Sequence, residues 1–247
     1  MSVQTPIVNA GLLYVNGLRL TWTSTTVITV ASGAARDSTN VNDITLSSSA
    51  TITTTTSGAG GLDTGTIANA TFYAVYVIGD STGYNDTNVI ISTSATGPLQ
   101  PFGYDMFRRI GYVKTDGSAH FLEFRQDGVG SDRWMWYDAP IATGVTNGSS
   151  ATYASVDCSA GLPAATPTMV NFYCAFTPTA GDDTLVLAPG TSTSTLGYAT
   201  LSGSVAAVVK TGNLICPTDS PLTDAIDYKV TGSATAISVA AYLDQLS

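Results

Sequence analysis

The sequence is short of charge, and the shortage is uneven. Nine Lys and Arg stand against eighteen Asp and Glu, 11% of 247 residues, less than half the usual charged fraction. Glu123 is the single glutamate, and only Lys114, Lys210 and Lys229 are lysine. Long helices draw on Glu, Lys, Gln and Arg for their exposed faces, so bundles and coiled coils are excluded. The single histidine, His120, excludes a Ser-His-Asp, Cys-His or multi-histidine metal constellation within one chain. Cys158, Cys174 and Cys216 are odd in number and form no CxxC, which predicts buried, reduced thiols without a metal or cofactor role. A net charge of −9 and a pI near 4.2 exclude a phosphate-tracking surface, so no nucleic-acid partner is expected. The stretch after Met1 lacks a basic start followed by an apolar run, and no segment approaches the ~20 apolar residues of a membrane span. The chain is therefore expected to be made in the cytosol, with no membrane partner.

What is present favours strands. The chain is 44% hydrophobic with mean hydropathy +0.20, material enough for a core. Thr, Val, Ile and Tyr suit pleated, half-buried surfaces, while Gly, Asn, Asp and Ser suit the turns between them. Leu18, Leu20 and Trp22 alternate with Arg19, Thr21 and Thr23, and Val27 to Val30 follow a Ser24-Thr25-Thr26 turn. The run from Thr71 to Ile78 is apolar on both faces and predicts a central, doubly covered strand. Asp116-Gly117, between the runs 107–113 and 120–125, is a hairpin signal. Beyond it, strands are predicted over 151–156, 168–176, 184–187, 196–201, 204–209, 214–216, 226–230 and 236–243. The fold class is all-β, as two antiparallel β-sandwich or jelly-roll-like domains over 1–140 and 141–247.

Several segments carry a resemblance. They are Asn16-Gly17-Leu18-Arg19-Leu20-Thr21-Trp22, the run Ile28 to Asn40, Leu62-Asp63-Thr64-Gly65, Tyr73 to Thr82, and Phe107-Arg108-Arg109-Ile110-Gly111-Tyr112-Val113 with Asp116-Gly117-Ser118-Ala119. Over about the first 140 residues the chain resembles a structural module of tailed-bacteriophage tail, tail-fibre and head-appendage proteins, and the remainder is similar to an appended β-sandwich. The resemblance implies a non-enzymatic virion structural protein, associated with the tail or a tail fibre. It also implies a homotrimer that contacts other virion proteins. Head decoration and a glycan-binding receptor module for the host surface are the alternatives.

The candidate residues fit that expectation. Arg36 lies beside Asp37 in a turn, where a charge-assisted pair would hold the loop or the arginine would meet a neighbouring subunit. Arg108 and Arg109 on one strand point to opposite faces, so at least one is directed to an interior or an interface, with Asp105 and Asp127 as candidate partners. Trp134, Trp136 and Tyr137 form the densest aromatic cluster; the two tryptophans share a strand face, as a core or interface plug or as a platform for sugar rings. Asp80, Asp86, Asp127 and Asp132 lie in Gly-rich loops but lack the Asp-x-Asp-x-Asp-Gly spacing of a calcium loop, so turn capping is expected of them. No catalytic acid pair is identified.

Overall fold

The computed structural model describes residues 14–164, 169–190, 197–218 and 224–246, which contain eighteen strands and no helix. The chain forms two compact units: Met1–Arg133 with Gln245–Ser247, and Trp134–Asp244. The sequence places the division at 140/141; in the structure it falls inside a long strand, where composition gives no signal.

In the first unit, β1 (Val15–Gly17), β4 (Gly33–Arg36) and β5 (Asp43–Leu46) form one antiparallel sheet in the order β1-β4-β5. A second set takes the order β10-β2-β3-β6, from β2 (Leu20–Ser24), β3 (Val27–Val30), β6 (Ala50–Thr53) and β10 (Phe124–Val129). Strand alternation decides what is inside: Leu20, Ile28, Val30 and Ile52 are buried, while the threonines between them face out or lie half-buried. The third sheet is β8-β7-β9, from β7 (Phe72–Gly79), β8 (Asn88–Ser92) and β9 (Met106–Lys114). Strand β7 is central and buried on both faces, as its unbroken apolar run requires. One face gathers Ala74, Tyr76, Ile78, Ile90 and Tyr112, with Phe107 edge-on to Tyr76 at 5.7 Å.

The crossing of β1 and β4 depends on glycine. Gly17 faces Gly33, and a Cβ on either would lie within 2.4 Å of backbone oxygen or nitrogen across the pair. The next residue, Leu18, takes φ of 52° and is fully buried. A buried leucine in the left-handed region is strained and needs its surroundings to hold it.

The second unit is built from two sets of four hydrogen-bonded strands. One takes the order β16-β13-β18-β11, from β11 (Asp132–Val145), β13 (Met169–Thr177), β16 (Lys210–Pro217) and β18 (Ser233–Gln245); the other is β12-β17-β14-β15, from β12 (Ala154–Asp157), β14 (Asp183–Pro189), β15 (Ala199–Gly203) and β17 (Ala225–Val230). Val170, Phe172, Cys174 and Phe176 on β13 are fully buried, and so are Leu185, Leu187 and Ile226. The all-β, sandwich-like class read from the sequence is the one observed.

Three local readings need correction. The run 204–209 is not a strand but the connection between β15 and β16, with all six residues exposed. Its apolar residues lack the alternation and the partner strand that would bury them. The Asp116-Gly117 turn closes only a single bridge, Thr115 to Phe121, before β10 leaves to pair with β2. Asp116 spends its carboxylate on the amides of Ser118 and His120, which shapes a turn rather than a ladder. Finally, the aromatic strand is much longer than the 133–137 cluster, because the Thr- and Gly-containing segment that follows continues it to Val145.

Candidate functional site

Of the candidate arginines, Arg108 and Arg109 are buried and hold the fold from inside. Arg108 is 3% exposed, and its guanidinium donates to the carbonyls of Arg36 (2.7 Å) and Asp37 (3.0 Å) and to Asn40 Oδ1 (2.8 Å). It thereby holds the β4–β5 loop against β9. Asp37 organises the same loop from inside, accepting from the amides of Val41 and Asn42 and from the side chains of Thr39 and Asn42. Although burial opposes its charge, these donors keep its carboxyl below the usual range. Arg36 does not pair with Asp37; across the hairpin it meets Asp43 at 3.3 Å and donates to the Val41 carbonyl. Arg109 is also buried, stacks over the Tyr112 ring at 4.6 Å, and donates to the Gln245 carbonyl at 2.8 Å. The partners expected for this pair are engaged elsewhere: Asp105 accepts from Ser81, and Asp127 lies beside Arg19 and Arg125.

A further arginine, not singled out in the sequence, holds the strained crossing. Arg133 is 1% exposed. It donates to the carbonyls of Gly17 (2.7 Å), Leu18 (2.9 Å) and Gly130 (3.1 Å) and to Gln126 Oε1 (3.2 Å). Gln126, itself buried, also accepts from the Leu20 amide. The signal available was parity, since residues alternating with Trp134 and Trp136 must include one buried face.

The tryptophans stand on the other parity. Trp134 and Trp136 are half-buried with centroids 5.9 Å apart, while Met135 between them is buried. They are neither a fully enclosed plug nor an open platform. The Tyr137 hydroxyl donates to the Gly161 carbonyl at 2.8 Å, its ring lies 6.1 Å from Tyr242, and burial pushes its pKa upward.

Among the Gly-rich loops, Asp80 follows the capping expectation. Its carboxylate takes the amide and hydroxyl of Thr82 and the amide and side chain of Asn85, which lowers its pKa to about 2. Asn85 reaches the Gly103 carbonyl, and Asp105 receives Ser81. These bonds tie the β7–β8 loop to the β8–β9 loop around a groove of about 470 Å³, with Tyr84 and Phe102 standing exposed at its rim. Among the described residues no three His, Cys, Asp or Glu side chains converge as metal ligands.

The three cysteines are free and fully buried, and burial pushes each thiol up to about 12. A thiol at that pKa is almost wholly protonated at neutral pH and does not attack. Titration with an aromatic disulfide reagent should find no reactive group in the native protein and three after denaturation without reductant. A disulfide among them would contradict both the structure and the cytosolic expectation.

Comparison with protein-family models, curated proteins and solved structures gives no match to this chain.

Proposed function

We propose that the protein is a non-enzymatic structural component of a tailed-bacteriophage virion, associated with the tail or a tail fibre. In this reading it assembles with copies of itself, as a homotrimer, and with other virion proteins. The sequence segments of the first 140 residues support the phage reading. The observation that carries an assembly role lies in the second unit. The β15–β16 connection exposes Val205, Val208 and Val209 at 51, 47 and 54%, with only Ser204 and two alanines among them and no charge before Lys210. On the adjoining β13 and β16, Tyr173 and Ile215 are also exposed. Among the described residues, strand β16 is the last in its sheet and has β13 as its neighbour on one side alone. Soluble proteins protect such edges with lysine, proline or a partner, and clustered exposed apolar side chains mark interaction surfaces. A head-decoration protein would use the same surface.

Light scattering at micromolar concentration tests the assembly. The expected mass is three times the 25.4 kDa chain. Val208→Asp with Val209→Asp should release monomers that remain folded, because both side chains are exposed and neither supports the core. A wild-type monomer, or a trimer indifferent to both aspartates, would refute the assigned surface. Antibody-labelled virions in negative stain would then separate tail from head.

A further inference from the structure

We infer that the groove between the β7–β8 and β8–β9 loops of the first unit is a binding site for a neutral saccharide. The inference does not depend on the self-assembly surface.

Three aromatic rings frame the groove. Tyr84 is 91% and Phe102 103% exposed, two large side chains standing almost wholly in water side by side with a concavity. Tyr104 is anchored differently: its ring packs on the Ala74–Tyr76–Ile78 face and its hydroxyl donates to the Asp86 carbonyl at 3.0 Å. Exposed rings on slack loops would fold back onto the surface. Here the loops are pinned to each other by the Asn85–Gly103 and Ser81–Asp105 bonds and internally by Asp80, so the backbone that carries the two rings is held at the groove. The groove, about 470 Å³, is within the range of small-molecule sites.

The polar groups select the ligand. All four acceptor positions of Asp80 are used by its own loop. Asp105 is different: each carboxylate oxygen takes one donor from Ser81, leaving a further lone pair on each. Acceptors beside aromatic faces suit a ring that offers hydroxyl donors at its rim and C–H groups on its face, which is the chemistry of a sugar. Two carboxylates lining the groove repel anions and so disfavour uronic or sialic acids and phosphates. The glycan platform weighed for the tryptophans in the sequence thus has a better-formed counterpart on the first unit.

The intact protein, fluorescently labelled, should be applied to immobilised neutral oligosaccharides of glucose, galactose and N-acetylglucosamine series, with sialylated and uronate-containing glycans alongside. Binding to a neutral series is expected. Calorimetry with the strongest neutral oligosaccharide should then show at least tenfold weaker binding for Phe102→Ala and for Tyr84→Ala, with melting temperatures unchanged since both rings are exposed. Asp105→Asn, which keeps the shape and removes acceptor strength, should weaken binding several-fold. Failure to retain any neutral glycan, retention of acidic glycans alone, or affinity indifferent to both ring truncations would overturn the site. None of these results bears on the oligomeric mass, so this site and the assembly surface fail separately.

Discussion

Arg133→Met should destabilise the first unit by about 3–5 kcal/mol, the cost of breaking a buried charged network on one side. The methionine fills much of the space, so the loss measures the bonds rather than a cavity. Three carbonyls, those of Gly17, Leu18 and Gly130, lose their guanidinium donor at once, and a buried polar group left unsatisfied costs about 1–3 kcal/mol. All three belong to positive-φ residues, Gly17, Leu18 and Gly130, so the arginine also holds the backbone at three left-handed positions, of which Leu18 is the strained one. Arg125 supplies the control: it pairs with Asp127 at 2.7 Å, but its side chain is 71% exposed, and Arg125→Met should change stability by less than about 1 kcal/mol. With two units present, a single unfolding midpoint can mix both. Native-state hydrogen exchange of the Leu20 amide, bonded to Gln126, reads the first unit directly. Equal protection in wild type and Arg133→Met would show that the network contributes little.

Asp224→Asn is expected to stabilise the second unit at pH 8 and not at pH 4. Asp224 precedes β17, is 7% exposed, and its Oδ1 has no hydrogen-bond partner among the described residues. Burial first, and then the Asp157 charge, raise its pKa from 3.8 to about 6. A raised folded-state pKa gives stability that is present below about 3.8 and is lost as pH rises through about 6. Above that, the folded protein holds a buried carboxylate that the unfolded chain would solvate. A neutral amide of the same shape removes the cost, about 1–3 kcal/mol for a shift of this size. The neighbouring Asp157 adds to the effect, because the Ser159 hydroxyl and amide hold its carboxyl low and so keep it charged while Asp224 titrates. Urea melts at the two pH values decide it. A variant less stable than wild type at pH 8 would mean that the carboxylate finds compensation in the native state.

Where strand periodicity met a face that is either wholly wet or wholly dry, the fold was legible. β3 begins and ends at the residues expected, and β7 is the doubly covered strand that its apolar run implies. Legibility failed where an apolar segment has no partner, as at 204–209, and where one residue decides between a turn and a ladder, as at Asp116. The candidate arginines were read as fasteners or interface contacts, and the burial of Arg108 and Arg109 follows from the first of these. Their acceptors were beyond reach, since backbone carbonyls at a sequence distance of 71 or 136 residues leave no mark in composition. Arg133 was hidden by its louder neighbours. The Tyr84–Phe102 groove was invisible for a similar reason: each ring lies in an ordinary turn-rich loop, and only the bonds from one loop to the other bring both to one groove.

Gln245 and Leu246 return the chain to the first unit, where Leu246 is buried and donates its amide to Ser131. A ribosome therefore releases the whole of 134–244 before the first unit can receive its closing pieces. Until then Arg109 waits without the Gln245 carbonyl. Such a nested order raises the sequence separation of native contacts, and with it the time the nascent chain spends incomplete. In the cell, the last step of maturation for the earliest-made unit is a late event, timed by synthesis of the other.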